Sequence, residues 1–270
     1  ASDTKKGGSR HTSVFSIEKE GAGQVAVIGP PNSGKSSLVT ALTNASPEIS
    51  SAPFTTWAPT PGMMNYRHVP VQLIDTPPLD SSYVEPAFID LLRRCDLLLL
   101  VIDLQTDPAA QLEQSLELLA QYHVRQLQSD EVIDAVPRLA CKRILFIANK
   151  CDDDGDDEIL DIARELVGVE CELLPASAKT GRNLDNLQEA IIQSLQLMRV
   201  YSKPPGEEVD FDAPFVLRQG STIEEFAAQV HRDFYDQLKS ARIWGSGAFD
   251  GQEVSRDYIL HDGDIVELRI

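Results

Sequence analysis

Apolar residues along this chain gather first in short unbroken runs: VAVIG (25–29), VQLID (71–75), DLLLLVID (96–103), RILFIAN (143–149) and CELLPAS (171–177). Each is strand-sized. A strand wetted on one face alternates apolar and polar residues, whereas a continuous run suits a strand covered on both faces. Between these runs, apolar positions recur at helical spacing over 35–43, 85–94, 109–122, 158–167 and 183–199. Such alternation predicts an α/β fold, a mostly parallel sheet with helices on both sides.

The pattern then breaks. YSKPPGEEVDFDAP (201–214) concentrates prolines and acids and reads as a linker. Beyond it, PFVLRQG, ARIWG, EVS and DIVELRI suggest short strands, and STIEEFAAQVHRDFYDQL suggests an amphipathic helix over 222–238. Thr222 and Glu225 stand at capping-box spacing. Phe226, Val230 and Phe234 mark its core face, and His231 on it reads as structural. Trp244 fits either a core position or an exposed anchor. The predicted organisation is a flexible N-terminal segment (1–22), an α/β domain (23–200), a linker (201–212) and a small α+β domain (213–270).

The longest apolar run, Leu97–Ile102, is far short of the roughly 20 residues that span a bilayer. ASDTKKGGSR at the start has no apolar h-region, so no secretory signal is visible. Cys95, Cys141, Cys151 and Cys171 are scattered without a C-x-x-C pair, as expected of reduced thiols in a cytoplasmic protein. A net charge of −18 repels phosphate backbones and argues against broad non-specific nucleic-acid binding.

The candidate chemistry begins where VAVIG meets GPPNSGKSSL. From Gly29 through Pro30, Pro31, Asn32, Ser33, Gly34 and Lys35 to Ser36, and on to Ser37, the segment has the order G-x-x-x-x-G-K-[ST] between a strand and a helix. That context marks a P-loop. Backbone N–H groups around Gly34, Lys35 and Ser36 meet at the positive end of a helix dipole. Lys35 adds charge for β- and γ-phosphates, and the Ser36 hydroxyl suits Mg²⁺.

NKCD (149–152) ends the fourth run. Asp152 can accept both N1–H and N2–H₂ of guanine, a pair adenine lacks; Asn149 can bond the purine edge, and the Lys150 stem can lie along the ring. SAK, which is Ser177, Ala178 and Lys179, ends the next strand, where the Ala178 N–H suits guanine O6. GTP and GDP are therefore expected over ATP. The acidic run DDDGDDE (152–158) lacks EF-hand spacing and reads as a solvated loop leading into a helix.

With these motifs in order, the chain resembles GTPases of the Obg–HflX group, and among them the developmentally regulated GTP-binding (DRG) proteins. The resemblance runs from about residue 21 onward. GSTIEEFAAQVHRDFYDQLKSARIWG and EVSRDYILHDGDIVEL are similar to the TGS domain, a small β-grasp module, that closes those proteins; KKGGSR resembles the segment before their P-loop. The resemblance implies a P-loop GTPase domain with a TGS domain, slow GTP hydrolysis with Mg²⁺, and a protein or ribosome partner reached through TGS. SAPFTTWAPTPG (51–62) would be switch I, with Thr56 closing over Mg²⁺, and Asp75 would hold Mg²⁺ through water. The second domain carries 6 Lys/Arg against 11 Asp/Glu over 212–270, which disfavours stand-alone RNA binding.

LIDTPPL departs from that pattern. Pro78 stands where a glycine N–H would meet the γ-phosphate, and proline has no N–H. Leu79 stands where Ras-like proteins carry a water-orienting glutamine, so hydrolysis should be slow or use another device. Asn32 matches the asparagine with which related GTPases ligate K⁺; its other reading is a residue that only shapes the loop. The candidate catalytic set is Asn32, Lys35 and Thr56; the candidate metal ligands are Ser36, Thr56 and Asp75. A contrasting expectation is a nucleotide-stabilised binding module that scarcely hydrolyses.

Overall fold

The computed structural model describes residues 14–43, 58–80, 84–127, 140–167, 172–245 and 248–269. Seven strands form the first sheet among the described residues: β1 (Gly23–Ile28), β2 (Thr60–Tyr66), β3 (Val69–Asp75), β4 (Leu97–Asp103), β5 (Val124–Gln126), β6 (Ala140–Asn149) and β7 (Leu173–Pro175). Their order is β2-β3-β1-β4-β6-β5, with β7 also on β6, and only β2 runs antiparallel to its neighbour.

The continuous apolar runs do cover two faces. In β4, Leu97, Leu99 and Val101 enter one core with Leu38 and Leu42 of α1 (Lys35–Thr43) and Leu187 and Ile191 of α5 (Leu184–Ser194). The intervening Leu98, Leu100 and Ile102 enter the other. That core holds Leu91 and Leu92 of α2 (Pro86–Arg94), Leu112 and Leu119 of α3 (Pro108–Gln121), and Leu160 and Ala163 of α4 (Asp156–Val167). Period-two side-chain alternation thus divides one apolar run between two helical layers. Pro86 and Pro108 sit in the first turns of α2 and α3, where a missing N–H is harmless.

The second sheet contains β8 (Leu197–Ser202), β9 (Phe215–Arg218), β10 (Ser240–Gly245), β11 (Ala248–Val254) and β12 (Asp264–Arg269), in the order β11-β10-β12-β8-β9. β8 corrects the sequence-derived boundaries. The helix expected over 183–199 stops at Ser194, and Gln196 takes a left-handed conformation (φ 53°). That geometry usually calls for glycine, so the sequence carried no stop signal there. β8 lies between β12 and β9, parallel to the first and antiparallel to the second. The Pro-rich stretch is therefore a connection inside the second domain rather than a linker between domains.

The helix expected over 222–238 is two helices, α6 (Ile223–Val230) and α7 (Arg232–Gln237). The capping box of Thr222 and Glu225 is present. His231 breaks the run: its N–H closes α6 on the Ala227 carbonyl, and its Nδ1 accepts from the Asp233 N–H to start α7. Trp244 is half-buried beneath Lys203, whose Nζ lies 5.1 Å from the ring centre. Phe226 is buried, with Val230 and Phe234 packed beside its core. Within the expected flexible segment, residues 14–22 are anchored instead: Phe15 is buried against Phe88, and its carbonyl accepts from Arg94.

Candidate nucleotide-binding site

Parallel strands bring their C-terminal ends together, and the predicted site residues hang from those ends. Val27 pairs with Asp75 across β1 and β3, and Asp103 with Asn149 across β4 and β6. Loops at such an edge are where ligands bind in open α/β sheets.

The P-loop closes tightly. Gly29 (φ 147°) and Gly34 (φ 87°) need conformations that L side chains avoid. A Cβ on Gly29 would strike the Val101 carbonyl, and one on Gly34 would strike the Asn149 amide. Lys35 curls back over the loop, its Nζ donating to the carbonyls of Gly29 (3.0 Å) and Pro30 (2.9 Å). Burial pushes the Lys35 amine down to about 8, against the pull of Asp75. Asn32 is exposed at the rim in a left-handed conformation.

Burial raises the Asp75 carboxyl, opposed by a hydrogen bond from Ser36. Asp75 Oδ1 is buried without a hydrogen-bond partner. A buried carboxylate oxygen left unmatched beside a hydroxyl is the donor set a hard divalent cation takes, so Ser36 and Asp75 fit Mg²⁺. Thr55 and Thr56 lie outside the described residues.

The TPPL segment after Asp75 is fastened down. The Thr76 hydroxyl donates to the Val27 carbonyl at 2.8 Å, and its N–H serves the Asp75 carboxylate. Pro77 and Pro78 have no N–H. The Leu79 N–H donates to the Gly29 carbonyl at 2.9 Å, with its side chain buried. Every main-chain position from 76 to 79 is thus committed or donorless.

The base side is equally interlocked. Asn149 Nδ2 donates to the Ser33 carbonyl (2.9 Å), while its Oδ1 accepts the Ala178 N–H (3.2 Å). Asp152 accepts from the Ser177 hydroxyl (2.6 Å) and Lys179 Nζ (2.9 Å), which hold its carboxyl below the usual range. A carboxylate has about four lone-pair sites, so acceptor capacity remains for a base. Lys150 pairs with Asp103 at 2.6 Å. Sequence reasoning missed Asp103; as the end of β4 in register with Asn149, it was detectable only once strand order was known. A hollow of about 540 Å³ beside Lys35, Asp75 and Pro78 meets one of about 450 Å³ beside Asn149, Asp152 and Ala178, with Gly34 and Lys150 lining both.

Residues 24–150 match the family described as 50S ribosome-binding GTPase, and residues 198–270 match the TGS domain. Developmentally-regulated G-protein 2 of Arabidopsis thaliana is 28% identical, over 97% of this chain and 80% of that protein. This chain is thus similar to a developmentally regulated G-protein over nearly its whole length. An uncharacterized GTP-binding protein of Methanocaldococcus jannaschii is 27% identical, over 95% of this chain and 80% of its own length. The YchF GTPase of Schizosaccharomyces pombe shares the fold (TM-score 0.63, 14% identity, 93% of this chain and 99% of that one). The GTPase match carries guanine-nucleotide binding, for which Mg²⁺ is the usual companion ion. The TGS match opens within β8, in agreement with the sheet pairing. Among the described residues no helix is long and apolar enough to cross a membrane.

Proposed function

We propose that this DRG-type protein is a slow, Mg²⁺-dependent cytoplasmic GTPase that works as a translation- or ribosome-associated switch, with its TGS domain as the docking module. The observation carrying this reading is the shared frame of P-loop and base loop, in which Asn149 bonds both the Ser33 carbonyl and the Ala178 N–H. In the proposed complex, Lys35 leaves the Gly29 and Pro30 carbonyls for β- and γ-phosphate oxygens, and the amides of Gly34, Lys35 and Ser36 cradle the same group. Ser36 and Asp75, with Thr56, hold Mg²⁺, which neutralises charge on the phosphates when bound. Asp152 accepts N1–H and N2–H₂ of guanine, and the Ala178 N–H faces O6.

No side chain at 79 orients water, so transition-state charge must be met otherwise. We assign that task to Asn32 as a K⁺ ligand at the rim of the phosphate hollow. Single-turnover hydrolysis should run faster in KCl than in NaCl at equal ionic strength, with the difference lost in Asn32→Ala. Equal rates in both salts remove Asn32 from catalysis. A second reading is favoured by the lack of a free N–H across residues 76–79: a nucleotide-stabilised protein-binding module. A hydrolysis rate equal to buffer, with tight GDP binding intact, selects it.

A further inference from the structure

Past Asp152, the acidic run DDDGDDE has no contact assigned above, yet its fifth residue is nearly inaccessible: Asp156 is 8% exposed. Although it opens α4, its carboxylate reaches backwards. Oδ2 accepts the N–H groups of Asp152 (2.6 Å) and Asp153 (3.1 Å). Those amides precede the helix, so Asp156 braces the loop. Its Oδ1 accepts from Gln105 Nε2 (2.7 Å), a side chain from the turn after β4 that also donates to the Lys150 carbonyl (3.0 Å). On the other side, Arg182, from the loop after β7, pairs with Asp157 at 2.9 Å and donates to the Asp153 carbonyl. The main chain of the base-reading loop is thus clamped between two neighbouring loops.

We propose that Asp156, backed by Gln105, is a positioning residue for guanine selectivity: it holds the main chain of Asp152 so that the carboxylate meets both N1–H and N2–H₂. This rests on the reading of Asp152 as the guanine acceptor. Ser177 and Lys179 fix the tip of that side chain, and Asp156 fixes its root. Charge-assisted hydrogen bonds are about twice as strong as neutral ones, so a buried carboxylate on two amides is a stiff anchor.

Selectivity separates this role from a merely structural one. Hypoxanthine offers Asp152 only N1–H, whereas guanine offers two donors. A misaimed Asp152 therefore harms GDP more than IDP. Calorimetric titration of the full chain with Mg²⁺ should show Asp156→Ala binding GDP about tenfold more weakly, and IDP no more than about threefold more weakly. Asp156→Asn keeps an oxygen for the two amides and should retain most of the preference. Gln105→Leu leaves the start of α4 intact and should lower the GDP:IDP ratio in the same direction by less; if Asp156→Ala does not fold, this variant decides. Losses equal for both nucleotides, or an unchanged ratio, overturn the proposal. A wild-type protein that binds GDP no better than IDP overturns instead the assignment of Asp152 itself.

Discussion

Lys35 shows how one residue can be ready for a ligand and strained without it. Its amine is buried on two carbonyls, and its pKa falls from 10.5 to about 8. Between those values the folded, ligand-free protein has shed a proton that the unfolded chain keeps. This group therefore makes stability rise with pH across that window. Phosphate requires the charged amine, so GDP affinity should fall above about pH 8, and binding should take up a proton there. Titration at about pH 9 in buffers of different ionisation enthalpy measures that uptake; a heat independent of buffer contradicts it. The place of Lys35 in the P-loop was legible in sequence because GKS after a strand has one geometry. That of Asp156 was not: an Asp within an acidic run acquires meaning only when Gln105, 51 residues away, is brought beside it.

Among the elements, the segment after β3 departs from the DRG-like pattern at Pro78 and Leu79. Two prolines remove donors, and the Leu79 amide is spent on the P-loop itself. A segment with no donor to offer has little to gain from a γ-phosphate. Hydrogen exchange across 76–79 should therefore be alike in the GDP-bound and GTP-analogue-bound protein. Pro78→Gly restores one N–H and should raise the preference for the GTP analogue over GDP by roughly tenfold, the scale of one charge-assisted hydrogen bond. An unchanged preference would place that amide away from the phosphate. The prolines announce the lost donors in sequence, whereas the Leu79–Gly29 bond does not. Likewise α5 and β8 read as one helix, because Leu195, Leu197 and Met198 keep an apolar pattern through the turn at Gln196.

At the scale of the molecule, Asp96 joins three parts of the chain. It accepts from Lys19 near the N-terminus, from the Gln24 N–H of β1, and from Arg218 of the TGS domain. Arg218 also bonds the Leu195 carbonyl, holding β9 to the end of α5. Asp96 precedes β4, so this junction lies at the end of the strand away from the nucleotide loops. Asp96→Ala should separate the unfolding of the two domains in calorimetry and destabilise by about 1–3 kcal/mol, chiefly by orphaning the Gln24 amide, while leaving GDP affinity unchanged. A single sharp transition at the wild-type temperature would show the junction to be idle. Sequence alone determined the α/β sandwich, the P-loop, the placing of NKCD at a strand end and the kind of second domain, since each rests on local periodicity or on motifs whose spacing imposes the geometry. Tertiary structure alone decided where the TGS domain begins, which amides among residues 76–79 are spent, and which carboxylate steadies Asp152. Those outcomes depend on which strands pair and which distant groups meet, and pairing between remote segments leaves no periodic trace in either one.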